Sequence, residues 1–127
     1  MMKFAKIVFT TAGVWGFLVL SPLYFMLDIV GQKYPPPVTH PDFYYGFLGL
    51  AMTWQLAFLV IGRDPVRFKP MMVPAVFEKA LYVISLLVLY VKGRIEIGQA
   101  AVGIPDLVLG SLFVAAFLRT PGVSHKP

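Results

Sequence analysis

Two carboxylates and a lysine stand inside long apolar runs: Glu78 and Lys79 in "PAVFEKALYVIS", and Asp106 in "QAAVGIPDLVLG". Ionisable groups in such runs are costly, and by default they mark proton relays, ion paths or polar ligand pockets. On a helix, Ala75, Glu78, Tyr82 and Ser85 follow an i, i+3, i+7, i+10 spacing and share one face. The opposite stripe, Phe77, Leu81, Ile84, Val88 and Val91, is wholly apolar and suits lipid. Glu78 is therefore expected to point inward, with Tyr82 as its nearest local partner. Lys79 lies about 100° further round the helix. Because sequence neighbours do not face each other there, Lys79 is expected to snorkel toward the headgroups past Lys69 rather than pair with Glu78. A second reading gives the two residues no chemistry. Pro70 and Pro74 suit a helix start, and near a start at Pro74 the Glu78 carboxylate is favoured by up to about 1 kcal/mol.

Gln99, Gly103, Asp106 and Gly110 share a helix face, so a glycine lies one turn to either side of Asp106. Small residues let helices approach closely in lipid, which predicts Asp106 at a helix–helix contact. Pro105 removes an N–H and loosens the backbone just before it. Asp106 then either fixes helix register through one hydrogen bond or belongs to a polar pocket. At about 1.5 Å rise per residue, Glu78 falls roughly 10 Å from the cytoplasmic side, level with Gln55 and Trp15, and Asp106 about 8 Å higher. A ladder of Gln55, Glu78, Tyr82 and Asp106 is the candidate ligand-binding or proton-carrying site. General acid–base chemistry needs both carboxylates within reach of one substrate, which the axial separation disfavours, so no catalytic residue is assigned. His40 and Asp42 lack a third ligand nearby, and no metal or cofactor is expected. Gly49, Thr53 and Ala57 form a small-residue stripe opposite Gln55, suited to bundle packing or a dimer.

The elements that must position these groups follow from composition and span length. Of 127 residues, 58% are hydrophobic and 13% charged, about half the usual charged share of a soluble domain. Apolar stretches of roughly 17–25 residues match a membrane-spanning helix. Four occur, at about 7–29, 43–61, 71–91 and 99–118, and backbone groups in hydrocarbon must bond within their own segment. The expected fold is all-α, an integral membrane four-helix bundle forming a single transmembrane domain. The first run is too long for a cleaved signal and no A-x-A-like site follows, so it reads as a retained anchor. Three consecutive prolines make the first connection stiff and extended. The absence of Cys removes disulfides, thiolate catalysis and Cys-ligated metals. The net charge of +5 sits at span ends and forms no run, so no nucleic-acid partner is expected. Lys3, Lys6, Arg63, Arg67, Lys69, Arg119 and Lys126 share one side, against Lys33, Lys92 and Arg94 on the other. That bias predicts both termini in the cytoplasm, with Tyr24, Tyr34, Tyr44 and Tyr90 in an outer aromatic belt.

With four spans, a Gly-rich second span in "FYYGFLGLAMTWQLAFLVIGRDPVRFKP" and an acid early in the third, the chain resembles the DoxX-like group of small bacterial membrane proteins. The resemblance implies a bundle in the inner membrane, in some members associated with quinone-linked redox complexes, although this chain supplies no redox centre. A fainter likeness is to sterol-binding bundles of the emopamil-binding and sigma-2 type, which set acids around an internal pocket. Asp28, Glu78 and Trp54 would fall in such roles, but the spacing transfers no residue. The expected function is a non-enzymatic accessory subunit or small hydrophobic-ligand binder, its partners the bilayer and a homo-oligomer or larger membrane complex. The alternatives are a proton- or cation-coupled transporter built by oligomerisation, and a lipid- or sterol-modifying enzyme using paired carboxylates.

Overall fold

Helical hydrogen bonding satisfies the apolar runs, and proline and glycine decide where each helix stops. The structure, a computed structural model, describes residues 2–33 and 39–122. Helices α1 (Met2–Leu20), α2 (Leu27–Lys33), α3 (Pro41–Arg63), α4 (Met72–Val91), α5 (Ile97–Ala100) and α6 (Ile104–Arg119) follow one another, with short 3₁₀ turns at Ser21–Phe25, Lys69–Met71 and Ala101–Gly103. No strand occurs among the described residues. Four stretches are long and apolar enough to cross a membrane: Lys3–Phe25, Pro41–Arg63, Lys69–Val91 and Ile97–Arg119. The triple proline, Tyr34, His125 and Lys126 fall outside the described residues.

The first helix does not run unbroken from residue 7 to 29. It begins at Met2, tightens to 3₁₀ geometry at Ser21-Pro22, and breaks at Met26, where φ −123° and ψ 20° leave the helical region. Pro22 lacks the N–H that would continue the α pattern, and a 3₁₀ turn is the short-range substitute. Between α4 and α5 the chain reverses at Gly93, whose φ of 72° is open to glycine and costly for other residues. Gln99 caps α5, its Oε1 accepting the Glu96 backbone N–H at 3.0 Å. The 3₁₀ turn then separates Gln99 from the helix that carries Asp106.

Packing is organised as two antiparallel pairs. Helix α1 lies along α3 and α4 along α6, the pairs join chiefly through α1 and α6, and α3 meets α4 only slightly. The core lies at one end of the bundle. There Phe9 stacks on Phe113 with centroids 4.3 Å apart, and Phe58 sets its edge against Phe113 at 4.9 Å. Ala5, Ala12, Ala75 and Ala116, all fully buried, let the backbones close around these rings. The expected lipid stripe of α4 faces outward throughout, from Phe77 (57% exposed) to Val91 (76%). An apolar surface this extensive on so small a chain is matched by acyl chains, not water.

Candidate functional site: an ion triad between two spans

Helix α4 turns Met72, Ala75 and Lys79 toward the bundle, an i, i+3, i+7 stripe that continues the core by one polar residue. Lys79 is only 4% exposed, so it does not snorkel to the headgroups. Its Nζ lies 3.2 Å from Asp106 Oδ1 on α6 and 3.5 Å from Glu78 Oε2 on its own helix. The same ammonium stands 5.2 Å from the centroid of the Phe58 ring on α3, a cation–π contact. Two features overturn the snorkelling expectation. Lys79 is near the middle of its span, and α6 comes so close at Gly110 that a Cβ there would lie 3.1 Å from the Lys79 Cβ. The lysine stem therefore runs across the helix contact to a carboxylate instead of along the helix to water. Its flexible four-carbon stem also explains how it reaches Glu78, which the rule against neighbouring pairs had set aside.

Asp106 sits in the first turn of α6, because the chain restarts a helix at Ile104-Pro105 after the 3₁₀ turn. A carboxylate there meets the positive end of the helix dipole as well as Lys79. Glu78 has no such position. Helix α4 starts at Met72, so Glu78 is in its second turn, where the dipole effect has faded, and the interface-marker reading does not fit. Its Oε2 is buried without a hydrogen bond, held only by the longer ion-pair contact.

The remaining candidates separate from this triad. Gln55 is 2% exposed and lies in the α1–α3 seam, not in a ladder with Glu78. Its Nε2 donates to the Ala51 carbonyl at 2.8 Å, while Oε1 faces Gly16 with no hydrogen-bond partner. Tyr82 stacks on Phe47, centroids 6.0 Å apart, bridging α4 and α3 above the triad. Trp54 is half-buried and packs at 6.3 Å from Phe58, supporting the ring that Lys79 covers. Asp28 is exposed in the first turn of α2, and His40 stacks on Phe43. Thr53 is exposed and donates to the Gly49 carbonyl at 2.9 Å, so the small-residue stripe lies partly on the outer surface. Among the described residues, no three His, Cys, Asp or Glu side chains gather as a metal site.

Beside the triad, α4 and α6 part to leave a cleft of about 250 Å³. Lys79, Asp106 and Ser111 give it polar character, and Val76, Val83, Ile84, Leu107 and Val114 supply apolar walls. Ile84, Leu107 and Val114 are 53%, 55% and 42% exposed, so the cleft opens sideways, toward the acyl chains of a membrane. Ser111 donates to the Leu107 carbonyl at 2.8 Å, which leaves its hydroxyl oxygen as an acceptor. Lys79 occupies one oxygen of Asp106, and a carboxylate accepts at both. The polar end of the cleft thus carries spare hydrogen-bond acceptors. No protein-family model, curated protein or solved structure matches this chain.

Proposed function

We propose that this is a non-enzymatic inner-membrane protein that holds a small hydrophobic ligand in the cleft between α4 and α6. The observation that carries the reading is the cleft itself: apolar walls open to lipid, with Asp106 beside a buried lysine at its polar end. A ligand with an apolar body and a hydroxyl matches that lining, its hydrogen donated to Asp106. Lateral opening lets such a molecule enter from the bilayer without crossing water. The likeness to the DoxX-like group fits an accessory subunit of a larger membrane complex, and the bias of Lys and Arg favours cytoplasmic termini.

The reading is tested with the protein in phosphatidylcholine nanodiscs and a photoactivatable long-chain alcohol. Label concentrated on Val83, Ile84 and Leu107, and lost in Ser111→Leu, is the expected result. Even labelling of the outer stripe at Phe77 and Leu81 would refute it. The charge count favours a second reading. Two carboxylates share one ammonium, and the surplus negative charge in a low-dielectric site attracts a proton or cation. As a proton carrier in an oligomer, the protein would show proton flux in reconstituted vesicles that Glu78→Gln abolishes.

A further inference from the structure

At the end of the bundle where α1 begins and α6 ends, cations gather over aromatic rings. Arg119 lies 4.6 Å over the Phe4 ring, Lys69 4.6 Å over Phe117, and Arg67 5.4 Å over Phe68. Among the described residues, no carboxylate stands within ion-pair distance of any of these three. The one acid in that connection, Asp64, accepts the backbone N–H of Arg67 at 3.4 Å and so shapes the turn. Here a second hollow of about 560 Å³ is lined by Val66, Arg67, Lys69, Val73 and Phe117. It lies where the spans Lys69–Val91 and Ile97–Arg119 terminate, which is the headgroup level of a membrane.

From this juxtaposition, two unpaired cations above an apolar wall at a span boundary, we propose that the hollow is a binding site for one anionic phospholipid. Its phosphate and acidic headgroup lie against Lys69 and Arg67, and its acyl chain runs along Val73 and Phe117. The site is preorganised. Pro65 is fully buried, Phe68 N–H donates to the Asp64 carbonyl at 3.0 Å, and Met71 N–H donates to the Phe68 carbonyl at 2.9 Å. On the far side, buried Thr120 ties the end of α6 with its Oγ1 donating to the Ala116 carbonyl at 2.6 Å. The connection and the helix end therefore fix the backbone that carries the cations before a lipid arrives, which lowers the ordering cost of binding. The opposite end of the bundle offers no equivalent: Lys33, Lys92 and Arg94 are matched in number there by Asp28, Asp42 and Glu96.

The test uses the whole protein in nanodiscs of phosphatidylcholine with a minority of phosphatidylglycerol, and native mass spectrometry of the lipids retained on release. The expected result is selective retention of a single phosphatidylglycerol. In Arg67→Gln/Lys69→Gln its affinity falls by about tenfold or more. The variant Lys92→Gln/Arg94→Gln, with the same change in charge at the other end, retains it unchanged. An equal loss from both double variants would overturn the proposal, because attraction would then be diffuse. So would equal retention of phosphatidylcholine. Glycerol phosphate, which lacks acyl chains, is expected to bind weakly in detergent, and affinity equal to that of the lipid would identify a free-phosphate site instead. Arg67→Gln alone changes only an exposed side chain, and it gives the same direction of effect without burdening the fold.

Discussion

Lys79→Met should be among the most damaging single substitutions in the bundle, and its cost should depend on pH. The Lys79 side chain is 6% exposed and those of Glu78 and Asp106 are 19% and 23%, so water screens little of the interaction. Removing one partner of a buried ion pair costs about 3–5 kcal/mol, because the remaining charge is left uncompensated. A ceiling follows independently. Two carboxylates already share one ammonium, so the substitution strands one charge more; it can escape by taking a proton, and for an ordinary carboxyl near pH 4 that costs about 4 kcal/mol at pH 7. The ceiling drops by about 1.4 kcal/mol for each pH unit. Lys79→Met should therefore lose about 3–4 kcal/mol at pH 7 and only about 1–2 at pH 5. The combined variant Glu78→Gln/Lys79→Met/Asp106→Asn, in which no charge is stranded, should recover most of the loss. Equilibrium unfolding in mixed dodecyl sulfate micelles, followed by helical circular dichroism, measures each value. A loss below about 1 kcal/mol for Lys79→Met, or one that does not shrink with acid, would place the ammonium at the headgroups and refute the triad.

Gln55→Met should be neutral or stabilising by up to about 1 kcal/mol in the same assay, since it removes a buried carbonyl oxygen that has no partner. A loss above about 2 kcal/mol would show that the oxygen does have a partner. Gly16→Val should destabilise by about 1–3 kcal/mol, because any Cβ at that position falls on the Gln55 side-chain amide and pushes α1 from α3. An unchanged unfolding midpoint would mean that the seam is wider. The chain has no cysteine, so single introduced thiols report topology cleanly. In sealed right-side-out vesicles, Lys92→Cys should react with a membrane-impermeant maleimide and Gly122→Cys should not, and the reverse pattern would invert the proposed orientation.

The helices themselves were legible because a bilayer leaves so few options: long apolar runs, helical hydrogen bonding and charges at the ends. The outward stripe from Phe77 to Val91 could be read from spacing alone, and so could the close approach to α4 at Gly103, in the turn before α6, and at Gly110 within it. The break at Met26 was harder. Ser21-Pro22 announces a disturbance, but whether a helix bends, tightens or stops at proline depends on what packs beside it. The inward turn of Lys79 is hidden in the sequence for a related reason. Ala75 belongs both to the stripe of Glu78 and Tyr82 and to the stripe of Met72 and Lys79, and the wholly apolar stripe opposite Glu78 favours the first, with the long stem of Lys79 free to snorkel. What reverses the choice lies on other helices: the Asp106 carboxylate, the Phe58 ring and the space left by Gly110. Gln55 misled in the opposite direction. Depth placed it level with Glu78, but depth says nothing about which seam a side chain enters, and α3 turns it toward α1.

The position of the triad also explains why charge is tolerated at the middle of a span. Below it the bundle is closed, with Phe58 under the ammonium and Phe113 and Phe9 beyond. Above it, no residue of α4 from Ile84 to Val91 is buried. Lys79 thus stands at the boundary between a packed half and an open half, and the ion contact with Asp106 is the polar tie that keeps α4 on α6 where apolar packing gives out. An all-apolar pair at this level would adhere no better to each other than to lipid, because acyl chains are as apolar as the side chains they replace. A hydrogen-bonded ion contact does not have that competitor. It fixes the register of two helices, and because it leaves one carboxylate oxygen and a side opening free, it fixes them around the cleft in which the proposed ligand would sit.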